Sequence, residues 1–285
     1  MPKMFRIQKI ADEGPSDPFH ARLWIGVLEL RDTALRCQHK SNDVDGHRVR
    51  FDESYDPVLK ALGAARTAAK NIQHLVDDHS RKLATGEIVE FQTSAFAISE
   101  SIDKPLGEET AEFLVNGAIA MRCSQQVVEQ FGINIGCLFT KQVNFDKGAK
   151  DLATGGHASL AQFLRDVRSA WSETFIGRRN ALEHESWNLP PVNYTIDAPE
   201  KVAMSEPDID GMPVRRYSAK TLDRINTFVE NVVVYAFKQA LAPPVALVEI
   251  PREQRDPVCP TRFRLDLKGP GIEEWSILYS ESDFP

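Results

Sequence analysis

The chain has 285 residues, of which 42% are hydrophobic and 26% are charged. This balance is typical of a globular protein with a buried core, and it excludes a disordered or fibrous chain. The formal net charge of -7 argues against a protein that coats duplex nucleic acid through a broad basic surface, although it leaves room for a small RNA site.

The first residues lead into charged sequence without an apolar run, so we expect no signal peptide. The most apolar stretch, residues 232–237, is too short to cross a membrane. The four cysteines are scattered, with no CxxC pair and no zinc-finger spacing. We therefore expect a cytoplasmic protein with reduced thiols, no membrane association, no bound metal and no cofactor.

Five stretches carry apolar residues at the three- and four-residue spacing of an amphipathic helix. In chain order they cover about residues 18–39, 56–83, 105–131, 158–185 and 218–241. Each stripe can bury one helix face, and several such helices together predict a bundle. We assign these apolar positions to core packing rather than to ligand binding.

Shorter stretches alternate or carry strand-forming residues. They are residues 87–96, then 194–197, 202–204 and 214–217 with a turn at Asp210-Gly211, and finally 245–250, 262–267 and 275–279. The predicted fold is mainly α. It consists of a leader at 1–17, a helical bundle at 18–242 with a small β insertion at about 190–217, and a short β-rich C-terminal extension at 243–285.

One run of residues rises above chance. Arg179-Asn180-Ala181-Leu182-Glu183-His184 lies near the end of the fourth predicted helix, shortly before a proline break. An Arg and a His five positions apart are common, but requiring Asn directly after the Arg lowers the expectation in a random chain of this composition to roughly 0.02. The run is therefore the strongest functional candidate in the sequence.

This run resembles the signature of the HEPN superfamily, in which an arginine, a polar residue that is often asparagine, three variable positions and a histidine end a helix. The order of the predicted elements is also similar over about residues 18–241, and residues 184–190 look like uncharacterised bacterial members. The resemblance implies a HEPN-like bundle. Active members are metal-independent endoribonucleases that work as dimers, so it also implies an RNA substrate, a homodimer, and a toxin- or defence-like setting with an antitoxin or other regulatory protein as partner.

The residue types suit that chemistry. Histidine is the residue type that most often moves protons in catalysis, so His184 can move the proton of a ribose 2′-hydroxyl or of the leaving oxygen. Arg179 offers a planar fork to a phosphate whose charge grows in the transition state. Asn180 can hold the imidazole or the RNA backbone, and Arg178 and Glu183 are assigned supporting positions.

Helix geometry adds a constraint. Five residues advance a regular helix by about 500°, so Arg179 and His184 point about 140° apart. Asn180 and His184, four residues apart, share a face. Either the helix distorts after Gly177, or a two-fold dimer brings two motifs into one cleft.

Two alternatives stay open. A catalytically inactive HEPN-like dimer that binds a partner fits the acidic net charge slightly better, whereas the intact Arg179, Asn180 and His184 favour the enzyme. In a purely structural interpretation, Arg179 pairs with Glu183 and His184 is a favourable cation at a helix C-terminus. A weaker motif, His74 and Asp78, has the spacing of a metal pair, but a solvated helix face explains it better.

Overall fold

A computed structural model describes residues 17–38, 43–92, 95–184, 186–198 and 201–280. The structure is mainly helical, at 65% helix, with short antiparallel strand pairs, which confirms the predicted mainly-α class with small β parts. The predicted leader at 1–17 lies outside the described residues apart from Asp17. Among the helices in the described ranges, none is long and apolar enough to cross a membrane.

The helices follow in chain order, with short π-helical and 3-10 segments between some of them. A π-helical segment, His20–Gly26, leads into α1, and a π-helical turn, Arg168–Ser172, joins α5 to α6. A 3-10 turn, Gly136–Phe139, precedes α4. The α-helices are α1 (Val27–Gln38), α2 (Val44–Thr85), α3 (Asp103–Glu129), α4 (Gln142–Thr154), α5 (Ala158–Val167), α6 (Glu173–Glu183) and α7 (Val214–Ala240).

In the described part of the chain the strands form four separate antiparallel pairs. Their bounds are β1 (Val89–Gln92) with β2 (Ala95–Ile98), β3 (Asn193–Ala198) with β4 (Lys201–Ser205), β5 (Asp208–Ile209) with β6 (Met212–Pro213), and β7 (Val245–Glu249) with β8 (Phe263–Leu267). A small apolar cluster of Leu83, Ile88 and Val202 joins the first two pairs at the end of α2.

The chain divides into two compact units whose segments interleave along the sequence. One unit takes its described residues from Met1–Arg50 and Val233–Ser276, and the other from Phe51–Val232 and Ile277–Pro285. The motif lies in the second unit. The predicted boundaries at 18–242 and 243–285 stay a prediction.

In the second unit, aromatic side chains join the helices. Phe113 of α3 meets Phe175 of α6 edge to face, with ring centroids 6.4 Å apart, and Phe163 of α5 stacks on Phe228 of α7. Gly117 lets α3 and α6 approach closely, because a Cβ at this position would lie 2.9 Å from Cζ of Phe175. The position of α6, and thus of the motif, is set by this buried aromatic packing.

Several predicted elements differ from the structure. The single stretch at 87–96 covers β1 and part of β2, which pair with each other. Residues 214–217 are the first turn of α7 rather than a strand, because Val214, Tyr217 and Thr221 are buried at helical spacing. Residues 275–279 form no strand in the described chain, although the Trp275 N–H donates to the Leu247 carbonyl at 2.9 Å. Helix α2 begins at Val44 instead of near residue 56, with Pro57 inside it.

Helix α4 was not predicted from the sequence. Its buried face is narrow, with Phe145, Ala149 and Leu152, and its apolar Val143 is exposed. Gly148 also lowers the helical propensity of the segment. A Cβ at Gly148 would lie 2.4 Å from Cβ of Cys137, so close packing against the 3-10 turn requires glycine there.

Candidate functional site

Helix α6 carries the motif, which consists of Arg179, Asn180 and His184. The α6 helix ends at Glu183, and His184 is the capping residue, whose N–H donates to the Asn180 carbonyl at 3.2 Å. The side chains of Asn180 and His184 are exposed, and that of Arg179 is half-buried. The motif therefore lies at the surface rather than among the aliphatic side chains of the core.

Arg179 is held by its helix neighbours. Its Nη1 lies 2.5 Å from Oε2 of Glu183, one turn further on, and donates to Oδ1 of Asn180 at 3.2 Å. Its Nε is buried and has no hydrogen-bond partner in the described part of the chain. The guanidinium is thus fixed at one nitrogen by a carboxylate that an incoming phosphate would have to displace.

Helix α6 is regular through Arg179 and Asn180, and His184 follows it as the capping residue. It runs without interruption from Glu173 to Glu183, and Gly177 has no positive φ. The angle of about 140° between Arg179 and His184 therefore applies within one chain. Of the two alternatives, a helix distorted after Gly177 or a two-fold dimer, the first does not fit a helix that continues to Glu183. The irregular turn, Arg168–Ser172, comes before the motif, where the Glu173 N–H donates to the Arg168 carbonyl five residues earlier.

A shallow, solvent-open recess of about 40 Å³ lies at the motif residues Arg179 and Asn180. Three chain segments meet there: α3, the 3-10 turn before α4, and α6. The guanidinium carbon of Arg122 lies 5.6 Å from the ring centroid of Phe139, so the pair stacks as cation and π-system. We call this site the motif recess; it is lined by Ala118, Ile119, Arg122, Phe139, Ile176, Arg179 and Asn180.

Arg168 fixes the turn that carries Phe139. It is buried, with 7% of its surface exposed, and its Nη1 donates to the carbonyls of Leu138 at 3.2 Å and Thr140 at 2.9 Å. Its Nη2 lies 2.8 Å from Oε1 of Glu173 at the start of α6. A single side chain therefore couples the 3-10 turn to the helix that bears the motif.

Arg122, Phe139 and Arg168 are not among the site residues that the sequence predicts. Arg122 and Phe139 belong to different segments from the motif, and Arg168, although it lies on the same predicted helix, is an isolated arginine that carries no pattern of its own. A π-helical turn such as Arg168–Ser172 occurs frequently at functional sites, but it is visible only in the structure.

Arg178 is not a solvated surface residue. It forms an ion pair with Asp210 in the β5–β6 turn, and its guanidinium carbon lies 5.1 Å from the ring centroid of Trp187. These contacts anchor α6 next to the motif. Glu183, the other predicted supporting residue, is the ion-pair partner of Arg179.

The His74 and Asp78 pair shows no sign of a metal site. His74 is exposed, and Asp78 pairs with Arg81 and Lys82 on the same helix. Those two cations hold the pKa of the Asp78 carboxyl below its usual value, chiefly through the hydrogen bond from Arg81. Within the described residues there is no group of three or more His, Cys, Asp or Glu side chains placed to hold a metal ion.

Comparisons of the chain with protein-family models, with curated proteins and with solved structures found no significant match. The residues at the motif and their geometry are therefore what bears on function.

Proposed function

We propose that this chain is a metal-independent endoribonuclease of the HEPN type that cuts single-stranded RNA. The observation that carries the proposal is the exposed His184 at the end of α6, the helix whose Arg179 and Asn180 line a solvent-open recess. A histidine with no role in core packing, at the end of a helix that also presents an arginine, suits proton transfer at a phosphodiester.

In the proposed reaction the His184 imidazole takes the proton of a ribose 2′-hydroxyl. The 2′-oxygen then attacks the adjacent phosphorus, and the bond from phosphorus to the 5′-oxygen breaks. The leaving oxygen takes a proton from an imidazolium or from water, and the products are a 2′,3′-cyclic phosphate and a 5′-hydroxyl. Arg179 stabilises the negative charge that builds on the phosphate oxygens.

The active form in this proposal is a symmetric homodimer. Because α6 is regular, Arg179 and His184 of one chain diverge by about 140° and do not converge on one phosphate. A two-fold axis near the end of α6 would let the Arg179 of one protomer work with the His184 of its partner. We further propose a cytoplasmic, toxin- or defence-like role with an antitoxin or another regulatory protein as partner, as the resemblance implies.

A second candidate is a catalytically inactive dimer that binds RNA or a protein partner. The contact between Arg179 and Glu183 favours it, because a carboxylate already occupies one nitrogen of the guanidinium. In an active enzyme, substrate binding has to exchange that carboxylate for a phosphate.

The test is cleavage of single-stranded RNA in EDTA by the wild type, His184→Ala and His74→Ala. His74 is an exposed histidine on α2 and serves as the matched control. We expect His184→Ala to lose about 10²- to 10⁴-fold in rate and His74→Ala to match the wild type. Equal cleavage by the wild type and His184→Ala would mean a contaminating nuclease. No cleavage by any variant, on RNA that the protein binds, would favour the inactive module.

A further inference from the structure

The motif recess differs in charge from the chain as a whole. Two arginines, Arg122 and Arg179, line it, and the lining residues, all in the described part of the chain, include no Asp or Glu. The formal net charge of the chain is -7, and Arg179 is paired with Glu183. The positive charge that Arg122 brings to the lining is therefore a local exception. An anionic ligand is the chemistry that such a lining favours.

The recess also has an apolar side. Phe139 contributes its ring and Ile176 a half-buried side chain, while Ile119 is 39% exposed on α3. A large aliphatic side chain that stays exposed beside an aromatic ring offers a surface on which a planar group can lie. A ligand that suits both sides carries negative charge at one end and a flat, weakly polar group at the other.

Arg122 links the two sides. It is exposed, and its guanidinium stacks on the Phe139 ring at 5.6 Å. A guanidinium stacked on a ring keeps a planar set of N–H donors suited to phosphate, and such stacked planes also accept a nucleobase. Stacking further limits the rotamers of Arg122, so less entropy is lost when it binds.

We propose that the motif recess binds one nucleotide of the RNA strand, next to the nucleotide whose phosphate is cut. Arg122 contacts the backbone phosphate of this nucleotide, and its base lies against Phe139 and Ile119. Asn180 belongs both to the recess and to the motif, so the strand passes from one to the other. This assignment rests on the proposed function for its substrate class.

Hydrogen bonds within the protein already fix the turn that carries Phe139 when no ligand is bound. Arg168 donates to the carbonyls on either side of Phe139, those of Leu138 and Thr140, and also contacts Glu173 of α6. The platform therefore keeps its position relative to the motif without the ligand. A preorganised platform favours a defined register of the strand over the catalytic residues.

The test uses a fluorescein-labelled 2′-O-methyl RNA, which cannot be cut through the 2′-oxygen, and fluorescence anisotropy. We expect Arg122→Ala and Phe139→Leu each to weaken binding about 5- to 10-fold. Arg122→Ala should also lower the slope of log Kd against log salt concentration by about 0.7, the value for one phosphate contact on a single strand. Arg81→Ala is the control, because Arg81 is an exposed helical arginine that does not line the recess. Arg81→Ala should change neither the affinity for the RNA nor the slope of log Kd against log salt concentration.

A parallel cleavage assay on unmodified RNA separates this inference from the proposed function. Binding that depends on Arg122 and Phe139, without His184-dependent cleavage, would support the nucleotide site and overturn the nuclease. His184-dependent cleavage with unchanged affinity in Arg122→Ala and Phe139→Leu would overturn the nucleotide site and leave the nuclease standing. Absence of any RNA binding by the wild type would overturn the nucleotide site as well. Circular dichroism of each variant checks that the helical fold is retained.

Discussion

Arg178 and Asp210 form an ion pair that ties the motif helix to the β5–β6 turn. Asp210 has a φ of 54° and is followed by Gly211 with a φ of 80°, a pair of left-handed residues typical of a tight hairpin turn. The residue before the motif arginine thus fixes α6 through a turn 32 residues further along the chain.

From this contact we expect Arg178→Ala to lower the free energy of unfolding by about 1–2 kcal/mol, since both partners are half-buried and the stacking on Trp187 is lost as well. Asp210→Asn keeps the turn, because Asn tolerates a positive φ. It should therefore lower the free energy of unfolding by less than Arg178→Ala does. Urea denaturation of the two single variants and the double variant gives the coupling energy. Strictly additive effects would contradict the pairing.

Replacing either of two glycines near the motif by alanine should change the stability of the fold, in opposite directions. At Gly117 a Cβ would lie 2.7 Å from Cδ1 of Ile225 and 2.9 Å from Cζ of Phe175, so Gly117→Ala should destabilise the fold by about 1–3 kcal/mol. At Gly177 of α6 a Cβ meets nothing within 4 Å. Gly177→Ala should therefore stabilise by about 0.5–1 kcal/mol through helical propensity. Thermal melts measure both changes. A loss of stability in Gly177→Ala would show that α6 is not a regular helix there.

His79 should make stability depend on pH. It is 1% exposed, its Nε2 lies 2.8 Å from the Tyr194 hydroxyl, and burial lowers the pKa of its imidazole below the ordinary 6.5. Below about pH 6.5 the unfolded chain therefore takes up a proton that the native protein does not. The free energy of unfolding should fall as the pH drops below 6.5 and level off below the native pKa.

Urea denaturation from about pH 7.5 to about pH 5 tests this expectation. In His79→Gln the free energy of unfolding should fall less as the pH drops. In the exposed control, His74→Gln, it should fall as in the wild type. The paired carboxylate of Asp78, whose pKa is lowered below 3.8, contributes only at more acidic pH. An unchanged decline in His79→Gln would assign the effect to other groups.

The dimeric site can be tested by mixing two inactive variants. If each site combines Arg179 of one protomer with His184 of its partner, a heterodimer of Arg179→Ala and His184→Ala holds one intact site and one doubly altered site. After random exchange, half of the dimers are heterodimers, so about a quarter of the wild-type cleavage should return. Each variant alone should stay inactive. No recovery after proven subunit exchange would place both residues of a site on one chain.

Periodicity located the helices well where the buried stripe is strong. Leu160, Leu164 and Val167 predicted the helix that leads to the motif, and all three are buried. Helix α4 was missed because its stripe is narrow and Gly148 weakens it. The strand predicted at 275–279 was wrong because Trp275 and Ile277 alternate in burial without a partner strand among the described residues.

The site was only partly accessible to sequence analysis. Arg179, Asn180 and His184 form a local pattern, so the sequence alone singles them out. Arg122 and Phe139 reach the same recess from α3 and the 3-10 turn, and their meeting depends on packing that no local pattern encodes. The role of Arg178 also depended on a distant residue, Asp210.

The π-helical turn Arg168–Ser172 determines which way the motif side chains face, so a search for the motif in other chains should also examine the residues before it. A π-helical turn corresponds to one extra residue in an α-helix, and each residue rotates the rest of the helix by about 100°. Deleting one residue from this turn would leave the motif residues unchanged but would turn Arg179 and Asn180 away from α3. The presence of the motif therefore does not by itself place it at the recess. The number of residues between the last buried residue of α5 and the motif has to be the same as well, because it sets the direction in which the motif side chains point.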